Sequence, residues 1–431
     1  MDMKKMSQDC KRASIMLAAL EAEKKNTALA QIAEALGESK PDICRANMLD
    51  LAEGKKAGLK EPILKRLKFD EQKIDAVIDG INSLIKLPDP VGKILEAREL
   101  DKGLILNKVS CPIGVLGVIF ESRPDALVQI SALCLKSGNG VLLKGGSEAK
   151  ETNRILAEII AATAKSAGVP DGWIQLLETR ADVNEMLKMN DYIDLIIPRG
   201  SNEFVRYIIE NSAIPVLGHA DGICHCYIDE FADSDMAVKI VVDSKTQYVS
   251  VCNAVETLLV HSSIAGKILP LIKAEFDKKG VAIYGCGRTR DYISAETADE
   301  NSWKTEYLDY MMSVKVVDSL DEAIEHINRY GSRHTDTIVT ENKQNAEMFM
   351  SLVDSANVFH NCSTRFSDGY RYGFGAEVGI STNKIHARGP VGLEGLAIYK
   401  YKLYGTGQTV DEYSAGRKQF THRDLDKNCT D

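Results

Sequence analysis

The order of apolar and polar positions divides the chain into a helical N-terminal region and a longer region in which strands and helices alternate. From about Ser7 to Leu87, apolar residues recur every three or four positions between lysines and glutamates. This spacing predicts a run of amphipathic helices. The segment DPVGK (89–93) ends the run with a proline and a glycine, which are typical of a turn.

Short apolar segments alternate with helical ones from Gly114 onward. GVLGVIF (114–120) and GVLLK (140–144) are predicted buried strands, each followed by a helical pattern that stops at a glycine. WIQLLE and IDLIIP continue the series. Continuous apolar strands separated by helices are typical of a parallel sheet that is covered on both faces. We therefore predict an α/β fold.

The same alternation restarts after Asp229 with the helical segment SDMAVKIVVDSK. The apolar segments ETLLVH, VAIYG, MMSVKVVDS, TDTIVT and ANVFHN follow, which predicts a second α/β domain beginning near Phe231. After Asn361 the chain becomes rich in glycine and arginine, and LAIYKYKLYG forms a last extended stretch.

Composition limits the class of protein. A chain of 431 residues is long enough for two or three domains. Its net charge of −9 argues against a nucleic acid or an anionic membrane as partner. No apolar run approaches the roughly 18 residues that span a bilayer. Ten cysteines in a chain of this length are no disulfide framework, so we expect a soluble, cytoplasmic protein in a reducing compartment.

Two strand-to-helix junctions are candidate nucleotide sites, although the chain lacks a strict G-x-G-x-x-G fingerprint. In a parallel sheet, the helix that follows a strand offers unpaired N–H groups and a partial positive charge to an anion. The alternative is two ordinary turns, but two basic junctions together favour a bound dinucleotide. The candidate residues are Lys144, Gly145 and Ser147 at the first junction and Arg199, Gly200 and Ser201 at the second.

Cys252 stands between the predicted helix and the strand ETLLVH, with polar residues on both sides. A cysteine is a nucleophile only as the thiolate, which nearby cations favour and apolar burial opposes. Ser250, Asn253 or the backbone N–H of Cys252 could donate to an oxyanion. Spacing alone leaves two alternatives open, a nucleophile or a small buried hydrophobic residue.

The segment CHC (224–226), with His219 five residues before it, is a second cluster of possible ligands. On a strand the two sulfurs would share one face and His225 would point to the other. The chain also has no second ligand pair with zinc-finger spacing. We therefore expect no resident metal.

Several long blocks of the sequence carry a resemblance to a known family. They are PIGVLGVIFESRPDA, VLLKGGSEA, IIPRGS, SKTQ…CNAVETLLVH, WKTEYLDYMMSVKVVDSLDEAIEHI and STRFSDGYRYGFGAEVGISTNKIHARGPVGLEGL. In these blocks the chain resembles the γ-glutamyl phosphate reductases, the proline-biosynthesis branch of the aldehyde dehydrogenase superfamily, over nearly its whole length. The resemblance implies NADPH-dependent reduction of L-glutamyl 5-phosphate to L-glutamate 5-semialdehyde, with release of phosphate.

The resemblance also implies an architecture of two Rossmann-like domains with parallel sheets and a small oligomerisation arm. The cofactor domain would comprise residues 1–103 and 113–230, and the catalytic domain residues 231–365. The arm would combine residues 104–112 with residues 366–431. We accordingly expect a homo-oligomer, a dimer or a tetramer.

Residue roles follow from the same resemblance. Cys252 matches the catalytic thiol, and Lys144 matches the lysine that holds the adenosine ribose of NADP. Gly200 and Ser201 match the loop beside the pyrophosphate, and Glu306 matches the glutamate that binds the nicotinamide ribose. Ser122 stands where the superfamily has the oxyanion-hole asparagine.

The implied substrate carries a phosphate and an α-carboxylate, so its pocket should hold several cations. We expect at least two of four residues to contact the substrate, the alternative for each being a structural ion pair. The four are Arg123, Lys245, Arg365 and Arg388.

The rival activity is hydrolytic oxidation of an aldehyde, which needs a glutamate that activates water. The corresponding segment here is HADG (219–222), where only His219 or Asp221 could be the base. Two departures from the family pattern, Val249 and Ile223, replace no catalytic group. A non-catalytic scaffold is a further alternative. No residues are left over for a kinase domain, so we expect glutamyl phosphate to come from a separate glutamate 5-kinase through a transient contact.

Overall fold

The computed structural model describes residues 2–121 and 123–426, with only the backbone of residue 180. The α-helices are α1 (Met3–Leu17), α2 (Ala22–Glu38), α3 (Lys40–Lys56), α4 (Glu61–Leu67), α5 (Glu71–Lys86), α6 (Pro124–Ser137), α7 (Lys150–Ser166), α8 (Arg180–Met186), α9 (Asn202–Asn211), α10 (Ser234–Thr246), α11 (Ser262–Lys279), α12 (Gly287–Arg290), α13 (Leu320–Tyr330), α14 (Lys343–Leu352) and α15 (Val410–Ser414). The strands are β1 (Ile94–Asp101), β2 (Leu104–Pro112), β3 (Val115–Phe120), β4 (Gly140–Lys144), β5 (Ile174–Leu177), β6 (Leu195–Arg199), β7 (Cys224–Ile228), β8 (Val255–His261), β9 (Ala282–Gly285), β10 (Glu296–Thr297), β11 (Met311–Val317), β12 (Thr335–Val339), β13 (Asn357–His360), β14 (Gly379–Ser381), β15 (Gly389–Val391), β16 (Ala397–Tyr404) and β17 (Arg423–Asp424).

The predicted helical N-terminal region is present as α1 to α5. Helix α2 buries Leu29, Ile32 and Leu36, which recur at the spacing of one helical face. Asp2 caps the N-terminus of α1, and Asp70 caps that of α5, each accepting a hydrogen bond from a backbone N–H of the first turn. These helices pack on the core of the first sheet.

The first sheet is parallel and has the order β5-β4-β3-β6. Along β3, Leu116 and Val118 point into one apolar core, formed with α2, α5, α6 and α7. Val115 and Ile119 point into the other, formed with α1, α8 and α9. Because both faces are covered, the strand is apolar throughout, and the predicted α/β architecture is confirmed.

The second sheet is also parallel, with the order β10-β9-β11-β8-β7-β12-β13. Strand β7 lies near its centre, where Cys226 pairs with Leu258 of β8 and with Thr337 of β12. The boundary predicted at residues 230/231 therefore falls one strand too late. No sequence pattern indicates this, because the apolar segment of β7 is equally compatible with the last strand of the first sheet.

A third sheet is antiparallel and has the order β16-β2-β1-β17. Strand β2 has the bounds predicted for the arm, and it pairs with the C-terminal strand β16. Strand β1 also belongs here, although residues 94–103 were assigned to the cofactor domain. Its sequence, ILEARELD, is too charged to predict a strand.

The segment after residue 365 is not a single arm. Val378, Val391 and Leu396 are buried in the core of the first sheet, so residues 378–396 pack on the cofactor domain. Only the strands that follow join the antiparallel sheet. In the described part of the chain, no helix combines the length and apolar character needed to cross a membrane.

Candidate active site

Cys252 lies in the turn that connects α10 to β8. The side chain is partly buried. Arg199 stands at the end of β6 in the first sheet. Burial lowers its pKa, and the nearby charge of Cys252 acts in the opposite direction. The cysteine therefore lies where the two parallel sheets face each other, which is a common position for a ligand site.

Two histidines flank the sulfur of Cys252. One ligand atom each from His219, Cys252 and His334 lie within 4.8 Å of one another. The histidine rings have centroids 4.7 Å apart at an interplanar angle of 74°. Nδ1 of His219 is 2.7 Å from the carbonyl oxygen of Ile380, and Nδ1 of His334 is 2.8 Å from Oγ1 of Thr335. The Nε2 atoms are thus left for the sulfur.

The electrostatics favour a thiolate at this position. Burial by itself raises the pKa of Cys252, but the charges of His334 and His219 outweigh it and hold the pKa well below the usual thiol value. In turn, burial is the largest single effect on His219 and lowers its pKa, but the charge and hydrogen bond of Cys252, the carbonyl of Ile380 and the charge of Glu306 together raise that pKa to about 9. Cys252 and His219 therefore form a thiolate–imidazolium pair, the activated state of a nucleophilic cysteine.

Glycine is required at position 222, in the segment HADG (219–222). A Cβ atom at Gly222 would lie 2.3 Å from the carbonyl oxygen of Cys252 and 2.6 Å from Oε1 of Glu306. No side chain fits into these distances. The absence of a Cβ lets the 219–222 segment lie directly against the cysteine loop.

Glu306 is joined to the start of α9. Asn202, the first residue of that helix, donates from Nδ2 to Oε2 of Glu306 and to Oδ1 of Asp221. Asp221 also forms an ion pair with Arg206 at 2.9 Å. Burial raises the pKa of Glu306, while the hydrogen bonds from Asn202 and the N–H of Gly222 lower it. The structure thus brings Glu306 next to the predicted pyrophosphate junction.

The two predicted nucleotide junctions differ in what their helices offer. The N–H groups of Glu151 and Thr152 in α7 donate to the carboxylate of Asp50, at 3.1 and 2.8 Å. Ser201, at the start of α9, makes no such side-chain cap. An incoming phosphate would therefore meet open N–H groups at α9 and a carboxylate at α7.

The first junction holds its residues tightly. Lys144 is buried and its ammonium donates to the carbonyl oxygen of Gly145. A Cβ atom at Gly145 would lie 2.1 Å from Nδ2 of Asn153. Ser147 begins a short 3₁₀ turn that leads into α7. The residues at the two junctions fit a dinucleotide, since they combine a lysine, a close backbone turn, the open N–H groups of α9 and Glu306.

Arginines supply positive charge to the cysteine from both sheets. Burial lowers the pKa of Arg365, and the charge of Cys252 partly offsets this effect. Nε of Arg365 donates to Oε1 of Gln247 at 2.9 Å. Arg123 is exposed at the start of α6, and its charge lowers the pKa of Arg199. Arg199 and Arg365 therefore lie near Cys252, and Arg123 lies near Arg199; we call these three residues the arginine group.

The other two predicted substrate cations are engaged in ion pairs. Lys245 is fully buried and its Nζ lies 2.6 Å from Oε2 of Glu256, which is equally buried. Arg388 pairs through Nη2 with Asp354 at 3.1 Å. Both charges are therefore already matched by a carboxylate of the protein, and contact of either residue with the substrate stays a prediction.

Asn253 is hydrogen-bonded to the segment around residues 364–367. Its side-chain Nδ2 donates to the backbone carbonyl oxygen of Ser367 at 2.7 Å, and its backbone carbonyl oxygen accepts from the hydroxyl of Thr364 at 2.7 Å. These bonds fix the cysteine loop against the 3₁₀ turn at 364–366. Ser122, the predicted oxyanion residue, lies outside the described residues.

Sequence reasoning missed two ionisable residues of this site. His334 lies directly before β12, far from Cys252 in the sequence. Only folding brings the two residues together, so no local motif indicates His334. Glu377 is placed near Arg199, whose charge lowers its pKa, but burial is stronger and raises that pKa to about 7. The N–H of Gly369 donates to Glu377 at 2.9 Å. The sequence signal for Glu377 was its position in the long block that begins STRFSDG, which resembles the family.

Comparison with known proteins agrees with this geometry. The sequence model of the aldehyde dehydrogenase family matches residues 1–282. The chain therefore belongs to the aldehyde dehydrogenase family. An acetylating aldehyde dehydrogenase from Geobacillus thermoglucosidasius, 17% identical with a TM-score of 0.63 over 95% of this chain and 97% of that one, shares the fold.

Nearer relatives narrow the group. The γ-glutamyl phosphate reductase of Acetivibrio thermocellus is 67% identical over 427 residues, or 99% of each chain. γ-Glutamyl phosphate reductase 1 of Synechocystis is 52% identical over 97% of each. The crystal structure of the Thermotoga maritima γ-glutamyl phosphate reductase has a TM-score of 0.93 at 40% identity, covering 95% of this chain and all of that one. Within its family, the chain is thus a member of the γ-glutamyl phosphate reductase group.

Proposed function

We propose that this protein reduces L-glutamyl 5-phosphate to L-glutamate 5-semialdehyde with NADPH, the second step of proline biosynthesis from glutamate. The observation that carries the proposal is the Cys252 thiolate, which is held between His219 and His334 and faces the arginine group. The names of the full-length relatives support the same reaction.

In the first step, the Cys252 sulfur attacks the acyl carbon and a thioester forms. The bond from that carbon to the phosphate oxygen breaks, and phosphate leaves with the electron pair. The imidazolium of His219 can give the leaving phosphate its proton, which solvent replaces. Arg123, Arg199 and Arg365 offset the negative charge of the substrate's phosphate and α-carboxylate.

NADPH supplies a hydride to the thioester carbon when it is bound. Lys144, Glu306 and the N–H groups at the start of α9 would hold it. The tetrahedral carbon then expels the thiolate, and the aldehyde is released. His219 stabilises the returning thiolate, so the enzyme ends the cycle in its starting charge state.

The rival hydrolytic reaction needs a group that takes a proton from water. In the thioester the charge of Cys252, which raises the pKa of His219 in the resting enzyme, is absent, so protection from water depends on the lack of a glutamate in HADG (219–222). Asp221 is already bonded to Asn202 and Arg206. The thioester is therefore expected to survive until hydride transfer.

The experiment that separates the two activities is the reaction in reverse. The protein is mixed with glutamate semialdehyde and NADP, and NADPH absorbance is followed with and without phosphate. We expect phosphate-dependent NADPH formation that is lost in Cys252→Ala and retained in Cys286→Ser, the control thiol. Turnover that does not need phosphate would establish the hydrolytic dehydrogenase instead. Folded protein without turnover on any aldehyde would support the scaffold.

We further propose that the arm forms a homo-oligomer. Tyr399, Tyr401 and Leu403 of the edge strand β16 are each at least half exposed, and an edge strand with apolar side chains favours pairing with another chain. Light scattering that gives the mass of a monomer would refute this. A transient contact with glutamate 5-kinase is tested by co-elution and by channelling of the labile phosphate.

A further inference from the structure

His219, Cys252 and His334 also have the ligand chemistry of a zinc site. Their ligand atoms lie within 4.8 Å of one another, which makes them the one such group in the part of the chain that the structure describes. Two imidazole nitrogens and a thiolate are ligands that Zn²⁺ prefers. We propose that Zn²⁺ binds reversibly to this group and blocks the nucleophile.

The partners of the two histidines support this proposal. A metal-binding histidine usually gives its second ring N–H to an oxygen, which fixes the ring and leaves the other nitrogen for the metal. Both rings are held in this way, His219 by the carbonyl oxygen of Ile380 and His334 by the hydroxyl of Thr335. The remaining Nε2 of His334 is fully buried and makes no hydrogen bond within the described residues.

The geometry suits a tetrahedral ion with one open position. Zn–N bonds of about 2.1 Å and Zn–S bonds of about 2.3 Å place ligand atoms roughly 3.5 Å apart, so the three side chains need to move inward by about 1 Å. His219 and Cys252 are only partly buried, and an ion can reach them. Water or a substrate oxygen would take the fourth position.

This site differs from the CHC segment of the sequence. Cys224 donates its S–H to the carbonyl oxygen of Cys252 at 3.2 Å, and burial raises its pKa well above the usual value. Cys224 is therefore a thiol next to the site and no ligand. The ion would compete with the substrate for the sulfur of Cys252. It would therefore be a reversible inhibitor and not a resident metal.

Cobalt is the probe for this inference, since Co²⁺ takes zinc sites and a thiolate ligand gives it a strong near-ultraviolet charge-transfer band. Wild-type protein should bind one equivalent of Co²⁺ with this band, and Zn²⁺ should displace it. The band should be absent from Cys252→Ser and retained in Cys286→Ser. Thr335→Val, which replaces the hydroxyl behind His334 by a methyl group, should weaken binding about 10- to 100-fold.

A second measurement uses the unmodified chain, so it does not depend on how the variants fold. Zn²⁺ should slow alkylation of Cys252 by iodoacetamide, read by mass spectrometry of the peptides, and leave Cys286 unprotected. A band that persists in Cys252→Ser, or alkylation of Cys252 that Zn²⁺ leaves unchanged, would overturn the proposal. Neither readout requires catalysis, so failure here is distinct from failure of the reductase assignment.

Discussion

Gly222 and Cys252 touch through their backbones, so that a methyl group on Gly222 would lie 2.5 Å from the Cα atom of Cys252. The absence of a side chain on a neighbouring segment therefore fixes the position of the Cys252 loop. The same methyl group would also lie 2.6 Å from Oε1 of Glu306, so the cysteine loop and the Glu306 carboxylate meet at this glycine.

Gly222→Ala is expected to displace the cysteine loop. Overpacking of a tight contact costs about 1–3 kcal/mol of stability, and a shift of the nucleophile by about 1 Å lowers the rate about 100-fold. The measurements are kcat and urea unfolding. Gly218→Ala is the matched control, because a Cβ atom there would make only ordinary contacts at 3.7 Å. Equal activity of the two variants would contradict this prediction.

The reactivity of Cys252 should depend little on pH in the neutral range. The thiolate is present above the pKa of the thiol, and burial is overcome here by His334 and His219, which hold that pKa well below 9. A thiol of pKa 9 would lose about 50-fold in alkylation rate between pH 9 and pH 7, whereas Cys252 should keep most of its rate.

Removal of either histidine should restore the steep profile. In His219→Ala or His334→Ala, the thiol pKa rises and alkylation at pH 7 should fall about tenfold or more. His386→Asn is the control: the residue is exposed, and asparagine tolerates its positive φ of 65°. Profiles that coincide in all variants would show that the histidines do not activate the thiol.

The buried pair of Lys245 and Glu256 should contribute to stability. Lys245→Met leaves a buried carboxylate without its partner and should lower the free energy of unfolding by about 3–5 kcal/mol. The double variant Lys245→Met/Glu256→Leu should recover much of this loss. Lys278→Met breaks the exposed pair with Glu275 and should cost less than about 1 kcal/mol. A large loss of substrate affinity in stable Lys245→Met would instead restore the predicted substrate contact.

Binding of NADPH should depend on Glu306 and Lys144. Glu306→Gln keeps the shape but weakens acceptance from the cofactor's ribose, and Lys144→Ala removes a buried donor. Each should raise the dissociation constant about tenfold, or about 1.4 kcal/mol, as measured by NADPH fluorescence. Lys150→Ala, at an exposed position on the same helix as the first junction, should bind normally. If Glu306→Gln and Lys144→Ala bind NADPH as tightly as the Lys150→Ala control, the cofactor must bind elsewhere.

The sequence predicted the elements that have a strong pattern of their own. GVLLK is β4 at the predicted bounds, because a strand buried on both faces is apolar at every position. The strand β1 was missed because one face of the antiparallel sheet is polar and its residues are charged. A run of apolar residues indicates a strand that is buried on both faces. It does not indicate a strand such as β1, which is covered on one face only.

The site was predicted less completely than the fold. Cys252 and Glu306 lie in long blocks with a family resemblance, and the structure places both around Gly222. His334 has no local signal, since its role depends on β12 lying beside β7. The pairing of Lys245 with Glu256 could not be read from the chain either, because burial of a charge is a property of packing.

The most direct test of the account is the mass of the acyl-enzyme. Protein is incubated with glutamate semialdehyde and NADP in the absence of phosphate, and its peptides are weighed. We expect one glutamyl group per chain on Cys252, which added phosphate releases as the acyl phosphate. A glutamyl group that is absent from Cys252, or one that water removes as fast as phosphate does, would contradict the central claim that this cysteine carries a thioester protected for reduction.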